Sequence, residues 1–159
     1  MNTFLVEKIS RLSLIKPSKR FLLFLGLIVT FNYAYTYFID FFFNVPDIVE
    51  NGLENMSFPF KLILLILIAP LFETLVFQFA IIEIVKKISK NSIIAILMSA
   101  LVFASTHFYD FYYVVSALIV GLLLAIFYLT YKNRTFAFFS VFFVHSINNL
   151  IVFIDNTFF

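Results

Sequence analysis

The sequence contains no cysteine, which excludes disulfide bonds, thiolate zinc sites and a cysteine nucleophile. It also lacks the G-x-S-x-G context of a serine nucleophile, and no aspartate lies deep in an apolar run. A Ser-His-Asp triad and a pair of catalytic aspartates therefore have no candidates. The only histidines are His107 and His145. A catalytic site in this chain has to be built from a small set of side chains.

Charged residues are also scarce. They make up 13% of the 159 residues, against 63% hydrophobic residues and a mean hydropathy of +1.05. A soluble domain of this length could not bury so much apolar surface in one core. We therefore predict an all-α, polytopic membrane helical bundle, surrounded by membrane lipid and forming a single domain over residues 1–159. The net charge of +2 is not gathered in a basic patch, so nucleic-acid binding has no support.

Five apolar runs approach the length of roughly 17 to 25 residues that a transmembrane helix needs. They are Phe21 to Phe43, Leu62 to Val85, Ser92 to Phe108, Phe111 to Tyr131 and Phe136 to Ile154. The third run is the shortest, and its tight connection to the fourth predicts a helical hairpin. Residues 1–61 then comprise a basic N-terminal segment, an anchor span and a polar loop at 44–60. Residues 62–154 comprise a helical core.

Ten of the eleven basic residues lie before the first run or in alternate connections. They are Lys8, Arg11, Lys16, Lys19, Arg20, Lys86, Lys87, Lys90, Lys132 and Arg134. The other connections carry acidic residues, with Lys61 as their single base. By the positive-inside rule, we expect the amino terminus in the cytoplasm and the carboxyl terminus outside. We expect Glu83, beside the second basic group, to pair with Lys86 and Lys87.

The source membrane is suggested by amino-acid usage. Phe, Ile, Asn and Lys are abundant, as AT-rich codons would favour, and Trp is absent. We therefore expect a low-GC bacterium and its cell membrane.

Glu73 is the most informative ionisable residue, because it lies in the middle of a run that is otherwise almost wholly apolar. No Lys or Arg lies in any predicted span to pair with it, and a lone carboxyl group in hydrocarbon is costly. His107 and His145 fall at a compatible depth, and His145 and Asn149 lie four residues apart on one helical face. We expect these four side chains to meet in a hydrated pocket.

A carboxylate with imidazoles can hold a water molecule and take its proton as the water attacks a carbonyl group. Neighbouring His and Asn side chains can donate hydrogen bonds to the oxyanion that develops. Two His and one Glu could also bind a catalytic zinc ion, although the H-E-x-x-H motif is absent. Other polar residues in the spans are interpreted as interhelical hydrogen-bonding groups. These are Asn32, Ser99, Thr106 and Asn148.

Three short motifs bear on the function. Residues 69–78, A-P-L-F-E-T-L-V-F-Q, resemble an E-E-x-x-x-R motif that follows an A-P run. Phe103 to His107 matches F-x-x-x-H, and His145 to Asn149 matches H-x-x-x-N. In this order and on separate spans, they resemble the CPBP intramembrane proteases. That family comprises type II CAAX-prenyl endopeptidases and bacterial Abi-type or bacteriocin-processing relatives.

The resemblance implies an intramembrane glutamic endopeptidase that hydrolyses a peptide bond in a membrane-associated protein or peptide, with no metal or other cofactor. It implies that Glu73 and His107 activate water, and that His145 and Asn149 form the oxyanion pocket. Thr74 and Gln78 depart from the second Glu and the Arg of the first motif. Because both members of that pair change together, we expect Thr74 and Gln78 to satisfy each other across one helical turn.

Two other classes of function remain open. The departures in the first motif also fit a catalytically silent member that acts as a bacteriocin self-immunity protein or binds a membrane partner. A small proton-coupled transporter is a third possibility, because Glu and His relays also serve pumps. The absence of inverted repeats argues against it.

Overall fold

The computed structural model describes residues 3–43, 56–108 and 110–158. These ranges form six helices and no strand. The helices are α1 (Thr3–Ser13), α2 (Pro17–Phe43), α3 (Phe58–Ser89), α4 (Ser92–Ser105), α5 (Phe111–Leu129) and α6 (Arg134–Phe158). The prediction of an all-α membrane bundle is confirmed. Helix α1 lies in the predicted basic N-terminal segment, before the first apolar run.

Four helices, α2, α3, α5 and most of α6, are long and apolar enough to cross a membrane. Helix α4 has 14 residues, a rise of about 21 Å against an apolar thickness of about 30 Å. The predicted third span therefore ends at Ser105, and the chain turns over residues 106–108. The predicted polar loop falls largely on residues 44–55, outside the described residues, and its last residues from Phe58 onward belong to α3.

Polar caps fix where several helices begin and end. The side chains of Asn91, Asp110 and Asn133 each accept a backbone N–H two or three residues later, at 2.8 to 2.9 Å, and so begin α4, α5 and α6. Lys90 takes a left-handed conformation with φ 56° and ends α3. Each polar cap is worth about 1 kcal/mol. Together they hold the α3–α4 turn and the α4–α5 hairpin at defined positions.

Helix α3 is wound unevenly around Pro70. Leu64–Ile68 and Thr74–Ile81 form π-helical turns, and Ala69–Glu73 between them is α-helical. The N–H of Ala69 donates to the carbonyl of Leu64, so the matching donor for the carbonyl of Leu65 would be residue 70. Proline has no N–H. The wider π-helical winding is a usual response to such a break and often marks a functional site.

The ends of the helices that carry the basic residues are closely packed. Arg20 is only 4% exposed. Its guanidinium group donates to the carbonyl of Thr130 at 2.5 Å and lies 4.0 Å above the ring of Tyr131. Around this contact, Phe127 and Tyr128 of α5 are fully buried. This end of the bundle therefore has a solid core.

Glu83 contributes to the same packed layer, although with different partners from those expected. Its carboxylate lies 3.0 Å from Arg134 and accepts the Tyr128 hydroxyl at 3.1 Å. The predicted pairing with Lys86 and Lys87 missed these two partners, although Glu83 also interacts electrostatically with Lys86. Glu83 is half-buried between helices, where a guanidinium and a phenol can both reach it, whereas Lys87 is exposed.

Gly121 of α5 sets how closely α5 approaches α4. A Cβ at Gly121 would lie 2.9 Å from Cδ1 of Phe103 and 3.2 Å from Cα of Ala100, whereas a Cβ at Gly26 meets nothing within 4 Å.

We expect Gly121→Ala to lower the free energy of unfolding by about 1 to 3 kcal/mol, because two helices must move apart. The matched change Gly26→Ala, in the interior of α2, should be neutral or stabilising by up to about 1 kcal/mol. Thermal unfolding of the purified variants in detergent measures both effects. Two variants of the same stability would contradict the packing argument.

Candidate active site

A cavity of about 250 Å³ lies between α2, α3, α5 and α6, with the C-terminal end of α4 in its wall. All four side chains that the sequence singled out line this cavity: Glu73 from α3, His107 from the turn after α4, and His145 and Asn149 from α6. The space has room for several water molecules. Three separate segments of the chain thus bring one carboxylate, two imidazoles and one amide to a shared space.

Glu73 and His145 form the closest polar contact of this group. Oε2 of Glu73 lies 3.4 Å from Nε2 of His145, and the two side chains are 23% and 4% exposed. The distance is at the long end for a hydrogen bond. Nδ1 of His145 is buried and has no hydrogen-bond partner among the described residues. The ring nitrogen that faces Glu73 is therefore the one through which His145 can act in the cavity.

His107 is held by its own backbone and by aromatic rings. Its Nδ1 lies 2.9 Å from the carbonyl of Phe103. Because a carbonyl can only accept, Nδ1 carries the hydrogen, and the neutral ring then has its lone pair on Nε2. The centroids of the Phe103 and Tyr113 rings each lie 4.9 Å from that of the imidazole. The ring of Phe103 also lies edge-on to that of His145, with 5.8 Å between the centroids, so Phe103 contacts both imidazoles.

Asn149 replaces the backbone donor that is missing at Pro70. Its Nδ2 donates to the carbonyl of Leu65 at 3.1 Å. A row of amides continues from it: Nδ2 of Asn148 lies 3.4 Å from Oδ1 of Asn149, and Nδ2 of Asn32 donates to Oδ1 of Asn148 at 2.9 Å. These contacts fix the orientation of the Asn149 amide. Its second N–H hydrogen remains for the cavity.

The interhelical role predicted for the other polar residues holds for Asn32 and Asn148, which join α2 to α6. It does not hold for Thr106, whose hydroxyl donates to the carbonyl of Phe103 one turn earlier in its own segment. Ser99 is fully buried, and its hydroxyl has no hydrogen-bond partner among the described residues.

A comparison with protein-family models shows which family the chain belongs to. A family model described as type II CAAX prenyl endopeptidase, Rce1-like, matches residues 55–151, more than half of the sequence. The chain belongs to this Rce1-like family. The family is one of CAAX-type intramembrane proteases, whose substrates are peptides or proteins in a membrane context. No curated protein and no solved structure matched the chain.

Thr74 and Gln78 stand where the motif of the resembling family has its second Glu and its Arg. Both side chains are fully buried. The hydroxyl of Thr74 and both polar atoms of the Gln78 side chain lack hydrogen-bond partners in the described part of the chain. The expectation that these two residues satisfy each other was therefore wrong. They lie in the π-helical stretch Thr74–Ile81, and neither side chain bonds to the other there.

Several other residues that line the cavity were not predicted from the sequence. They include Tyr35, Lys61, Tyr112, Tyr113 and Ser116. Tyr35 also donates its hydroxyl to the backbone carbonyl of Tyr112 at 2.8 Å and so connects α2 to α5. Tyrosines are common in this chain, which has eight, so residue type alone does not mark those at the site.

The donor set suits proton transfer better than metal binding. Within residues 3–43, 56–108 and 110–158, no three His, Asp or Glu side chains form a group that could hold a metal ion. Glu73 and His145 face each other and make a pair, not a group of three. A three-residue zinc site would have to be assembled by moving His107 or its neighbours.

We expect Gln78→Met to raise the thermal unfolding temperature, because it removes a buried amide that has no partner and keeps a similar volume. The matched change Asn148→Leu should lower it by an amount equivalent to about 1 to 3 kcal/mol, since it leaves the amide of Asn32 without its acceptor. Unfolding in detergent tests both variants. A lower unfolding temperature for Gln78→Met would contradict the absence of a partner.

Proposed function

We propose that this chain is an active intramembrane endopeptidase that hydrolyses a peptide bond in a membrane-associated protein or peptide. The observation that carries the proposal is the cavity in which Glu73, His107, His145 and Asn149 meet. Membership of a protease family supplies the reaction class. The four residues supply an acceptor for a proton and donors for an oxyanion, which are the two requirements of water-mediated acyl transfer.

Glu73 acts as the general base in this proposal. Its carboxylate takes a proton from a water molecule in the cavity while the water oxygen attacks the scissile carbonyl carbon. His107 positions that water, because its Nδ1 hydrogen is used by Phe103 and its Nε2 lone pair can accept from the water. The carboxylate and the imidazole then hold the water in position for its attack on the carbonyl carbon.

His145 and Asn149 stabilise the negative charge that develops on the carbonyl oxygen. Nδ1 of His145 is enclosed, whereas Nε2 faces Glu73, which favours the tautomer with its hydrogen on Nε2. Asn149 uses one amide hydrogen on Leu65 and offers the other. Losing one such donor typically costs a factor of about 10² to 10³ in rate.

Collapse of the tetrahedral intermediate breaks the C–N bond. The proton that Glu73 accepted passes to the departing amine, and Glu73 is ionised again. One water molecule is consumed for each peptide bond, and neither a metal nor an organic cofactor takes part. The reaction therefore balances with the groups that line the cavity.

Glu73→Gln is expected to reduce peptide cleavage by a factor of about 10² to 10⁴, the usual contribution of a general base. The thermal unfolding temperature should stay close to that of the unchanged protein, because glutamine keeps the shape of the side chain. The measurement is cleavage of a fluorescence-quenched peptide by protein reconstituted in liposomes. Asp40→Asn, which neutralises an exposed carboxylate on α2, is the matched control and should cleave normally. Equal rates for Glu73→Gln and the unchanged protein would refute the proposal.

The second candidate function is that of a silent family member, such as a bacteriocin self-immunity protein. It is favoured by Thr74 and Gln78, which occupy the positions of a charged pair without bonding to each other. Protection of cells by expressed variants separates the two candidates. Under the proteolytic proposal, Glu73→Gln and His107→Ala lose protection while the protein remains in the membrane. Full protection by both variants would support a binding role instead.

A further inference from the structure

We infer that Asn32 of α2 is a positioning residue for Asn149, because it sets the direction of a row of three amides and so keeps one N–H hydrogen of Asn149 free for the cavity. The catalytic meaning of this role rests on the proposed function, whereas the energetic link between the two residues does not. Helix α2 spans Pro17–Phe43 and precedes residues 55–151, which match the family model. The inference therefore gives a helix outside the matched residues a part in the site.

The row of amides ends at a group that can only accept. The carbonyl of Leu65 has no backbone donor at Pro70 and receives Nδ2 of Asn149 at 3.1 Å. Each Asn side chain has one accepting oxygen and one donating nitrogen. Because the nitrogen of Asn149 is on Leu65, its oxygen is directed toward a donor, Nδ2 of Asn148 at 3.4 Å. The Leu65 carbonyl thus fixes the direction in which the next amide must donate.

Asn32 completes the row from α2. Nδ2 of Asn148 is used on Asn149, so the oxygen of Asn148 needs a donor from elsewhere, and Nδ2 of Asn32 supplies it at 2.9 Å. Asn148 is only 5% exposed. A buried acceptor without a donor costs free energy, and turning the Asn148 amide over to avoid this cost would break its bond to Asn149. The three hydrogen bonds therefore run in one direction, from α2 to the Leu65 carbonyl.

The face of α2 that carries Asn32 is fixed on a second side. Tyr35, one helical turn along, donates its hydroxyl to the backbone carbonyl of Tyr112 on α5 at 2.8 Å. Asn32, Tyr35 and Thr36 all line the cavity. This face is bonded to α6 through Asn32 and to α5 through Tyr35, so Asn32 has a defined position relative to Asn149.

The direction of the row matters for the proposed oxyanion pocket. Groups that stabilise a transition state must be held within about 0.5 Å of their working positions by the residues that support them. An Asn149 amide that could turn over would present its oxygen to the cavity, and an oxygen repels an oxyanion. Asn32 prevents this through Asn148 and does not need to contact the substrate.

Asn32→Leu has a similar volume and no donor. It should lower kcat by a factor of about 10 to 10², while KM changes little, because the substrate still binds but its transition state is less well stabilised. Initial rates of cleavage of a fluorescence-quenched peptide in liposomes give both constants. Tyr33→Phe, at an exposed position of the same helix, is the control and should leave both unchanged. A normal kcat for Asn32→Leu would overturn the inference.

The same change in the Asn149→Ala background separates positioning from general support of the fold. If Asn32 acts through Asn149, Asn149→Ala and the double variant should have the same kcat, because no amide is left to orient. A residue that only supports the fold lowers kcat by the same factor in both backgrounds. That result would also overturn the inference.

Thermal unfolding in detergent measures the link between the two residues without catalysis. The double variant Asn32→Leu, Asn149→Ala should lose less than the sum of the two single losses in unfolding temperature, because both changes break the same row. Asn32→Leu combined with Asn133→Ala, which removes the cap at the start of α6, is the control pair and should be additive. Additive losses in the first pair would overturn the inference.

Failure of the inference and failure of the proposed function give different results. Non-additive unfolding without cleavage by the unchanged protein retains the link between Asn32 and Asn149 and counts against the peptidase. Cleavage by the unchanged protein with additive losses retains the peptidase and overturns the inference. If Asn32→Leu does not accumulate in the membrane, Asn32→Ser takes its place, because the shorter side chain stays polar and its hydroxyl stops short of Asn148.

Discussion

The hydrogen-bond donor missing at Pro70 constrains much of the site. Backbone groups inside a membrane have no bulk water to bond with, so a carbonyl that loses its helical partner must find another. Here the carbonyl of Leu65 receives the amide of Asn149 from α6. This hydrogen bond joins α3 to α6 one helical turn along α6 from His145, which contacts Glu73. One proline therefore favours a contact between the two helices that carry the proposed base and the proposed oxyanion donors.

The cavity depends on the packed layer at the opposite end of the bundle. Apolar helices gain little hydrophobic free energy by associating in lipid, so close packing and polar contacts must hold them together. In this chain those contacts are concentrated around Arg20 and Glu83. With the helices joined there, their other ends can stay far enough apart to enclose water. The short helix α4 contributes as well, because its end at Ser105 places a turn with His107 inside the bundle. A non-helical turn at such depth is tolerated where it lines a cavity.

Much of this arrangement was predictable from the sequence. A carboxyl group in an apolar run must have a polar environment, and the chain has few groups that could provide one, so Glu73, His107, His145 and Asn149 were identifiable as neighbours. Five of the six helices and their approximate limits followed from apolar length, whereas α1 did not. The surroundings of Glu83, Thr74 and Gln78 were not predictable, because their contacts were predicted from α-helical spacing within one helix. Glu83 instead found Arg134 on another helix, and the π-helical winding after Glu73 changed the register of the other two. Contacts such as Arg20 with Thr130 join positions 110 residues apart, and no local pattern specifies them.

The loss of the charged pair at positions 74 and 78 changes how Glu73 is held, and this affects the order of events in the proposed reaction. Thr74 and Gln78 provide no charged side chain at positions 74 and 78 to orient the carboxylate, which contacts His145 across the bundle. At 3.4 Å this contact is long and costs little to break. When Nε2 of His145 turns its hydrogen toward the carbonyl oxygen of a bound substrate, it stops donating to Glu73. The carboxylate oxygen is then available to water at the moment when a base is needed. The binding of a substrate carbonyl and the release of the base are thus coupled through one imidazole, without a second acidic residue.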